Sequence, residues 1–310
     1  MFKRRAEIAK PFAKQLKEVA RSYINIMTGC NKFCAYCIVP FTRGREVSYD
    51  LEAIVQRVEH DLLNGSKEIT LIGQNVNSYR DPATGKDFSE LLRRVAALDY
   101  EFWVRWVSPH PQDMTEELFD VIAQHQDKIP PYVHFPVQSG SNTILESMKR
   151  NYSVEQYLEQ IGWLRARMPE ACISTDIIVG FPGETEEDFQ ATMKILEQVQ
   201  YDWVYSFIYS PRKHTFAARM SDDCLPEVKS KRLECLQKRQ IEIGLERYKA
   251  YVGKTVKVLV EKCLTDGELL ARTGGNHRVI FKADSSLIGS FVSVLIKQTG
   301  PVNMHAELIK

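Results

Sequence analysis

Several things are scarce in this 310-residue chain, and each scarcity removes a class of protein. No apolar run reaches the roughly 18 residues that a membrane span needs. The start, MFKRRAEIAKPFAKQ, is basic but has no apolar core, so it does not read as a secretory signal. Seven cysteines are too few, and an odd number, for a disulfide scaffold at this length. No membrane and a cytoplasmic location are therefore expected. With 44% apolar residues, collagen-like and disordered readings fall away as well.

An excess of one charge is also missing, since 41 Lys+Arg face 40 Asp+Glu. The balance is uneven along the chain. Residues 1–22 and residues 247–310 each carry +5, and the whole chain carries +1, so residues 23–246 hold −9. Basic ends around an acidic body suit a polyanion partner. Ordinary solvated charge explains the numbers equally well.

From residue 23 to about 208, short β-branched or aromatic runs alternate with longer amphipathic ones. Strands are expected at 23–27, 68–73, 101–108, 131–137, 173–181 and 203–210, most of them apolar on both faces. Helical patterns lie between them, with Asp50, Asp87 or Ser89, Thr115, Ser153 and Thr185 where N-caps belong. Six β-then-α units argue for an α/β fold, a partial (β/α)6 barrel. Pro226 opens a connecting helix. After Gly253 the texture changes to short alternating runs with turns at Asp266-Gly267, Gly274-Gly275 and Gly289. That pattern predicts a small five-stranded antiparallel β-barrel. The expected division is 1–22 as a basic linker, 23–246 as the α/β unit with its connecting helix, and 247–310 as the small barrel.

The cysteines say more by placement than by number. Cys30, Cys34 and Cys37 lie within eight residues on a loop directly after the first expected strand. Three thiolates can hold three irons of a 4Fe-4S cube and leave the fourth iron without a protein ligand. A zinc site would need a fourth ligand, and no nearby His or Cys supplies one at customary spacing. Cys172, Cys224, Cys235 and Cys263 are scattered and read as small buried thiols.

Side chains at the C-terminal ends of barrel strands make active sites. Four such ends stand out: Gly73-Gln74-Asn75-Val76-Asn77, Ser108-Pro109-His110-Pro111, Pro136-Val137-Gln138-Ser139-Gly140-Ser141, and Gly180-Phe181-Pro182-Gly183-Glu184 after Asp176. Taken singly, each could be turn punctuation or a helix cap. Together they suit a nucleoside approached closely by backbone. Asp176 within an apolar strand requires a partner, either a ribose hydroxyl or a nearby Ser/Thr. His110 and His134 receive no catalytic role, and Arg43 and Arg45 meet either an anion or solvent.

The spacing C-x3-C-x2-C, with aromatic Tyr36 before the third cysteine, resembles the radical S-adenosylmethionine enzymes. CNKFCAYCIVPFTRGRE, LIGQNVNSY, PVQSGSNTILESMKR, STDIIVGFPGETEEDF and YSFIYSPR, in that order, are similar to the radical methylthiotransferase family, its tRNA branch in particular. The last domain resembles the RNA-binding TRAM module through Arg272-Thr273, Asn276 and Val279-Ile280-Phe281. The resemblance implies one 4Fe-4S cluster on Cys30, Cys34 and Cys37, with S-adenosylmethionine on its open iron. Gln138, Ser139, Gly140, Asp176, Gly180, Phe181 and Gly183 would then lie around that cofactor. It further implies tRNA as partner, an electron donor, and 2-methylthiolation of N6-isopentenyladenosine at position 37 of the anticodon loop through a 5′-deoxyadenosyl radical.

Members of that family carry an N-terminal domain with three more cysteines, a triplet this sequence does not contain. A separately supplied sulfur-donor domain is one expectation. A remnant that cleaves S-adenosylmethionine without inserting sulfur is the alternative, as is a relative acting on threonylcarbamoyladenosine or a ribosomal protein.

Overall fold

The computed structural model describes residues 20–265 and 267–309. Most of the expected basic linker, residues 1–19, and Asp266 of the expected turn lie outside the described residues. The first part runs β1 (Arg21–Asn25), β2 (Met27–Thr28), α1 (Val39–Arg43), β3 (Val47–Ser48), α2 (Leu51–Leu63), β4 (Glu68–Ile72), α3 (Phe88–Ala96) and β5 (Trp103–Trp106). It continues through α4 (Glu116–Gln124), β6 (Tyr132–His134), α5 (Asn142–Ser147), α6 (Val154–Arg167), β7 (Cys172–Val179), α7 (Glu186–Val199) and β8 (Trp203–Ile208). The long α8 (Pro226–Lys249) then leads to β9 (Thr255–Cys263), β10 (Glu268–Thr273), β11 (Arg278–Lys282), β12 (Phe291–Thr299) and β13 (Asn303–Leu308).

Helix starts fall where side chains satisfy the first free amides. Asp50, Asp87 and Thr115 accept from residues three positions on, and Ser153 and Thr185 close full capping boxes. Helix α2 buries Leu51, Ile54, Val55, Val58 and Leu62 along one face, and the other helices cover the strands in the same way.

The six parallel strands form two arrays, β1-β4-β5 and β6-β7-β8, rather than one continuous ladder. The reason is local. The amide of Val104 on β5 donates to the Lys128 carbonyl ahead of β6, and Pro130 and Pro131 then offer no N–H to extend the pairing. The strands also differ from expectation in having one polar face. Val133, Ile173, Ile177, Val179, Val204 and Ile208 point into the helix-covered core. Their neighbours Tyr132, His134, Ser174, Asp176, Tyr205 and Phe207 alternate onto the concave face, where an open barrel has room for something other than protein.

The small domain is a closed barrel in the order β10-β11-β13-β12-β9. Its pairs are antiparallel except β11 with β13, which are parallel. The β12–β13 hairpin brings the last strand back beside β11 in the same direction, so closure needs one parallel seam.

This domain plugs the foot of the α/β unit. Arg105 donates to the carbonyls of Thr273 and Gly274 at 3.2 and 3.0 Å. A Cβ on Gly275 would sit 2.5 Å from the Cys172 sulfur, so only glycine fits there. His277 is fully buried among Trp203, Tyr248 and Tyr251, with ring centroids 4.6–4.8 Å away. Burial and the nearby Arg247 guanidinium push its pKa down to about 3. The unfolded chain therefore takes up this proton first as pH drops below 6.5, and the folded chain does not. Stability is expected to be full above pH 6.5 and to fall by on the order of 2–4 kcal/mol towards pH 4, at about 1.4 kcal/mol per tenfold in proton affinity. His277→Phe flattens that slope; denaturant melts at a series of pH values measure it.

Candidate active site

The cysteine loop leaves the top of the first strand through Gly29, whose φ is +78°. A side chain there would run into the Arg45 carbonyl, so the turn admits only glycine. The loop is fastened at several points. Gly29 N–H donates to Gln74 Oε1 at 2.6 Å, and Cys30 N–H to the Gly44 carbonyl at 3.2 Å. Ala35 N–H reaches the Met148 carbonyl at 2.8 Å, and Cys37 N–H folds back on the Cys34 carbonyl at 2.9 Å. Cys30 is buried, and Cys34 and Cys37 are half-buried.

Burial and neighbouring charge act on Cys30 and Cys37. Burial pushes the Cys30 thiol up, the Lys32 amide opposes it, and negative charge on Cys34 and Cys37 pushes it up further. Burial likewise raises Cys37, with the Val39 amide opposing and Cys34 adding. Three thiolates crowded in this way repel until a cation lies between them. That donor set suits an iron–sulfur cluster, with Cys30, Cys34 and Cys37 holding it.

Around the thiols the polar side chains are already committed. Asn75 donates to Asp113 at 2.7 Å, and Lys32, inside the cysteine loop, pairs with the same carboxylate at 2.7 Å. Asn77 and the His110 backbone exchange two hydrogen bonds, at 2.8 and 2.9 Å. The Gln-Asn-Val-Asn run therefore bolts the cysteine loop to the loops after β4 and β5.

Arg150, which the sequence did not single out, and His110, which was given no catalytic role, face Cys34. Arg150 Nη1 donates to its sulfur at 3.5 Å, and His110 Nε2 lies 3.9 Å from it. The signal in the sequence was thin, a lysine–arginine pair after α5. Arg45 stacks on the Phe33 ring at 4.6 Å, and Arg43 is exposed.

On the third and fourth strand ends the expected residues divide. Ser139 and Gly140 turn towards α7. Ser139 Oγ lies 3.3 Å from Thr192 Oγ1, and the Gly140 amide donates to that hydroxyl at 2.9 Å. Gln138, at φ +70°, exchanges backbone bonds with Asp176 and Ile178. Phe181 is buried against Tyr209, so only its backbone faces outward. Gly180 donates to Glu184, which Arg232 holds at 2.7 Å, and the Gly183 amide reaches Asp223. Asp176 stands apart. It lies on the concave face with His134 Nε2 at 3.4 Å, and Tyr205 is opposite it in register. Its partner within the chain is thus a histidine rather than a Ser/Thr hydroxyl, although Ser174 follows next in line, 2.8 Å from His134 Nδ1.

The scattered cysteines do not all pack. Cys172 is buried and within 3.3 Å of the Tyr251 hydroxyl, and burial raises its thiol to about 12. Cys224 is half-buried beside Arg232. Cys235 and Cys263 are exposed, because one sits on the outer side of α8 and the other at the end of β9.

Residues 24–196, more than half of the chain, match the Radical SAM superfamily. The chain belongs to the Radical SAM superfamily. Membership implies an iron–sulfur cluster and S-adenosylmethionine as cofactors, in agreement with the three-thiol loop. Residues 249–309 match the TRAM domain.

Among curated relatives, the tRNA-2-methylthio-N(6)-dimethylallyladenosine synthase of Bdellovibrio bacteriovorus is 44% identical over 289 residues, 93% of this chain and 64% of that protein. The protein of the same name from Desulfotalea psychrophila is 47% identical over 297 residues, 94% of this chain and 66% of its own length. The chain therefore spans just under two thirds of the relatives it matches. The radical S-adenosylmethionine methyltransferase TsrM of Kitasatospora setae shares the fold, with a TM-score of 0.53 and 19% identity over 64% of this chain and 36% of that one. Among the described residues, no helix is long and apolar enough to cross a membrane.

Proposed function

We propose that this chain is the radical-generating and RNA-binding part of a tRNA methylthiotransferase. The substrate is N6-isopentenyladenosine at position 37 of the anticodon loop, and the product is its 2-methylthio derivative. One observation carries the reading. Three thiols share one loop at the strand ends of a unit whose concave face is polar and aromatic, and the foot of that face is closed by a TRAM-like barrel. Identities of 44–47% with synthases of that name over 93–94% of the chain support the substrate assignment.

When bound, a cluster with one iron free of protein ligands supplies the electron that cleaves S-adenosylmethionine. Cys30, Cys34 and Cys37 would hold one such cluster. Asp176, oriented by His134, offers a carboxylate to a ribose hydroxyl, and backbone at Gln138, Gly180, Phe181 and Gly183 borders the same space. Ser139 and Gly140 support that wall through Thr192. Tyr205 and Phe207, 46% and 53% exposed, give the concave face two aromatic rings of the kind on which bases stack. The sulfur comes from a sulfur-donor domain, the electron from a separate donor, and the setting is the cytoplasm.

The test is anaerobic reconstitution followed by iron and sulfide analysis and incubation with reductant and S-adenosylmethionine. One cluster per chain and release of 5′-deoxyadenosine are expected. Two clusters, or no cleavage by a fully loaded protein, would contradict the reading. Hypomodified tRNA should be methylthiolated only when the donor domain is added.

A further inference from the structure

The Cys34 sulfur faces side-chain donors, whereas Cys30 and Cys37 meet the Lys32 and Val39 amides. Among the described residues, no side chain donates to Cys30 or Cys37. Cys34 faces Arg150 Nη1 at 3.5 Å and His110 Nε2 at 3.9 Å. The His110 tautomer follows from its other nitrogen. Nδ1 lies 3.2 Å from the Gln112 amide and accepts its proton, so the ring proton sits on Nε2, towards the sulfur.

Both donors are locked in place. Arg150 spends Nε on the Tyr152 hydroxyl at 3.0 Å and Nη2 on the Pro136 carbonyl at 2.9 Å. His110 is gripped through its backbone by Asn77. Both side chains are buried, and Arg150 is only 4% exposed. A buried guanidinium is costly unless negative charge faces it. Among the described residues no carboxylate pairs with Arg150. The negative charge it meets is that of the thiolate set.

We propose that Arg150 and His110 are positioning residues that hold the Cys34 sulfur with two N–H donors and raise the reduction potential of the cluster bound there. The inference rests on the reading of Cys30, Cys34 and Cys37 as cluster ligands. Reduction adds an electron to the cluster, and donors on a ligating sulfur stabilise the added charge. Low solvent exposure strengthens the effect. Arg150 carries a full charge and contributes more than neutral His110.

The experiment compares wild type, Arg150→Met, Arg150→Lys and His110→Asn after anaerobic reconstitution. Cluster content is taken from iron and sulfide, and midpoint potential from a redox titration followed by electron paramagnetic resonance. Arg150→Met should keep its cluster and shift the potential to more negative values. Arg150→Lys should recover part of that shift. His110→Asn should give a smaller shift of the same sign, because its amide oxygen still accepts from Gln112 and only the Nε2 donor is lost. Wild-type potentials in fully loaded Arg150→Met and His110→Asn would overturn the proposal. So would loss of the cluster from both, which would make the pair an assembly device. A wild type that binds no cluster would instead defeat the underlying reading of the three thiols.

Discussion

Cys34→Ala should purify as a folded, colourless protein that releases no 5′-deoxyadenosine. The fold should survive because little of it depends on the thiol. The Cys34 carbonyl still accepts from Cys37, and Arg150 keeps its bonds to Tyr152 and Pro136. Loss of the sulfur that Arg150 Nη1 faces costs about 1–3 kcal/mol, within the ordinary range for a point substitution. The chemistry should not survive, since two remaining thiolates cannot hold three irons. Cys235→Ala, on the outer side of α8, is the control and should keep full colour. The measurements are visible absorbance, iron content and a thermal melt on both variants. Undiminished absorbance in Cys34→Ala would assign the ligand role to other residues.

The loop that carries this effect was readable from sequence, because thiol spacing is chemistry written in adjacent positions. The same holds for the caps, where Asp50, Thr115, Ser153 and Thr185 act within one turn of helix. What stayed hidden depends on distance along the chain. Arg150 meets Cys34 across 116 positions, and an arginine after a helix reads as surface until the fold buries it. The asparagines of the second strand end look like ligand contacts in sequence. In the structure, their partners Asp113 and His110 come from the next strand end. The polar concave face was missed because Tyr, His and Phe in a strand pass as core, and only alternation against the helix side shows which face each takes. The parallel β11–β13 seam likewise depends on closure, which no local pattern records.

Glu68→Gln should cost about 3–5 kcal/mol, the range for breaking a buried ion pair from one side. The Glu68 side chain is 4% exposed, accepts from Arg105 at 2.8 Å and forms an ion pair with Arg21 at 3.0 Å. Arg21 also pairs with Glu261 of the small barrel, which Arg272 holds at 2.7 Å. Arg105 caps the Thr273 and Gly274 carbonyls of the docking turn. Removing the Glu68 charge leaves three guanidiniums at the foot of the concave face, Arg21 and Arg272 sharing Glu261 and Arg105 without a carboxylate. Burial pushes the Glu68 carboxyl up, but Arg105 and Arg21 outweigh it and hold it below the usual glutamate range. Its contribution is therefore complete above the ordinary value of about 4.3 and is lost as pH falls through the lower folded value. Urea melts at neutral pH should show the full deficit in Glu68→Gln, and the two proteins should converge in acid below that folded value. A second substitution, Arg105→Leu, should recover part of the loss, because an unpaired buried charge costs more than an apolar side chain in its place. Equal stability of wild type and Glu68→Gln at neutral pH would mean that the barrel is docked by its apolar contacts, Trp103 on Phe291 and Trp203 on His277, and not by charge.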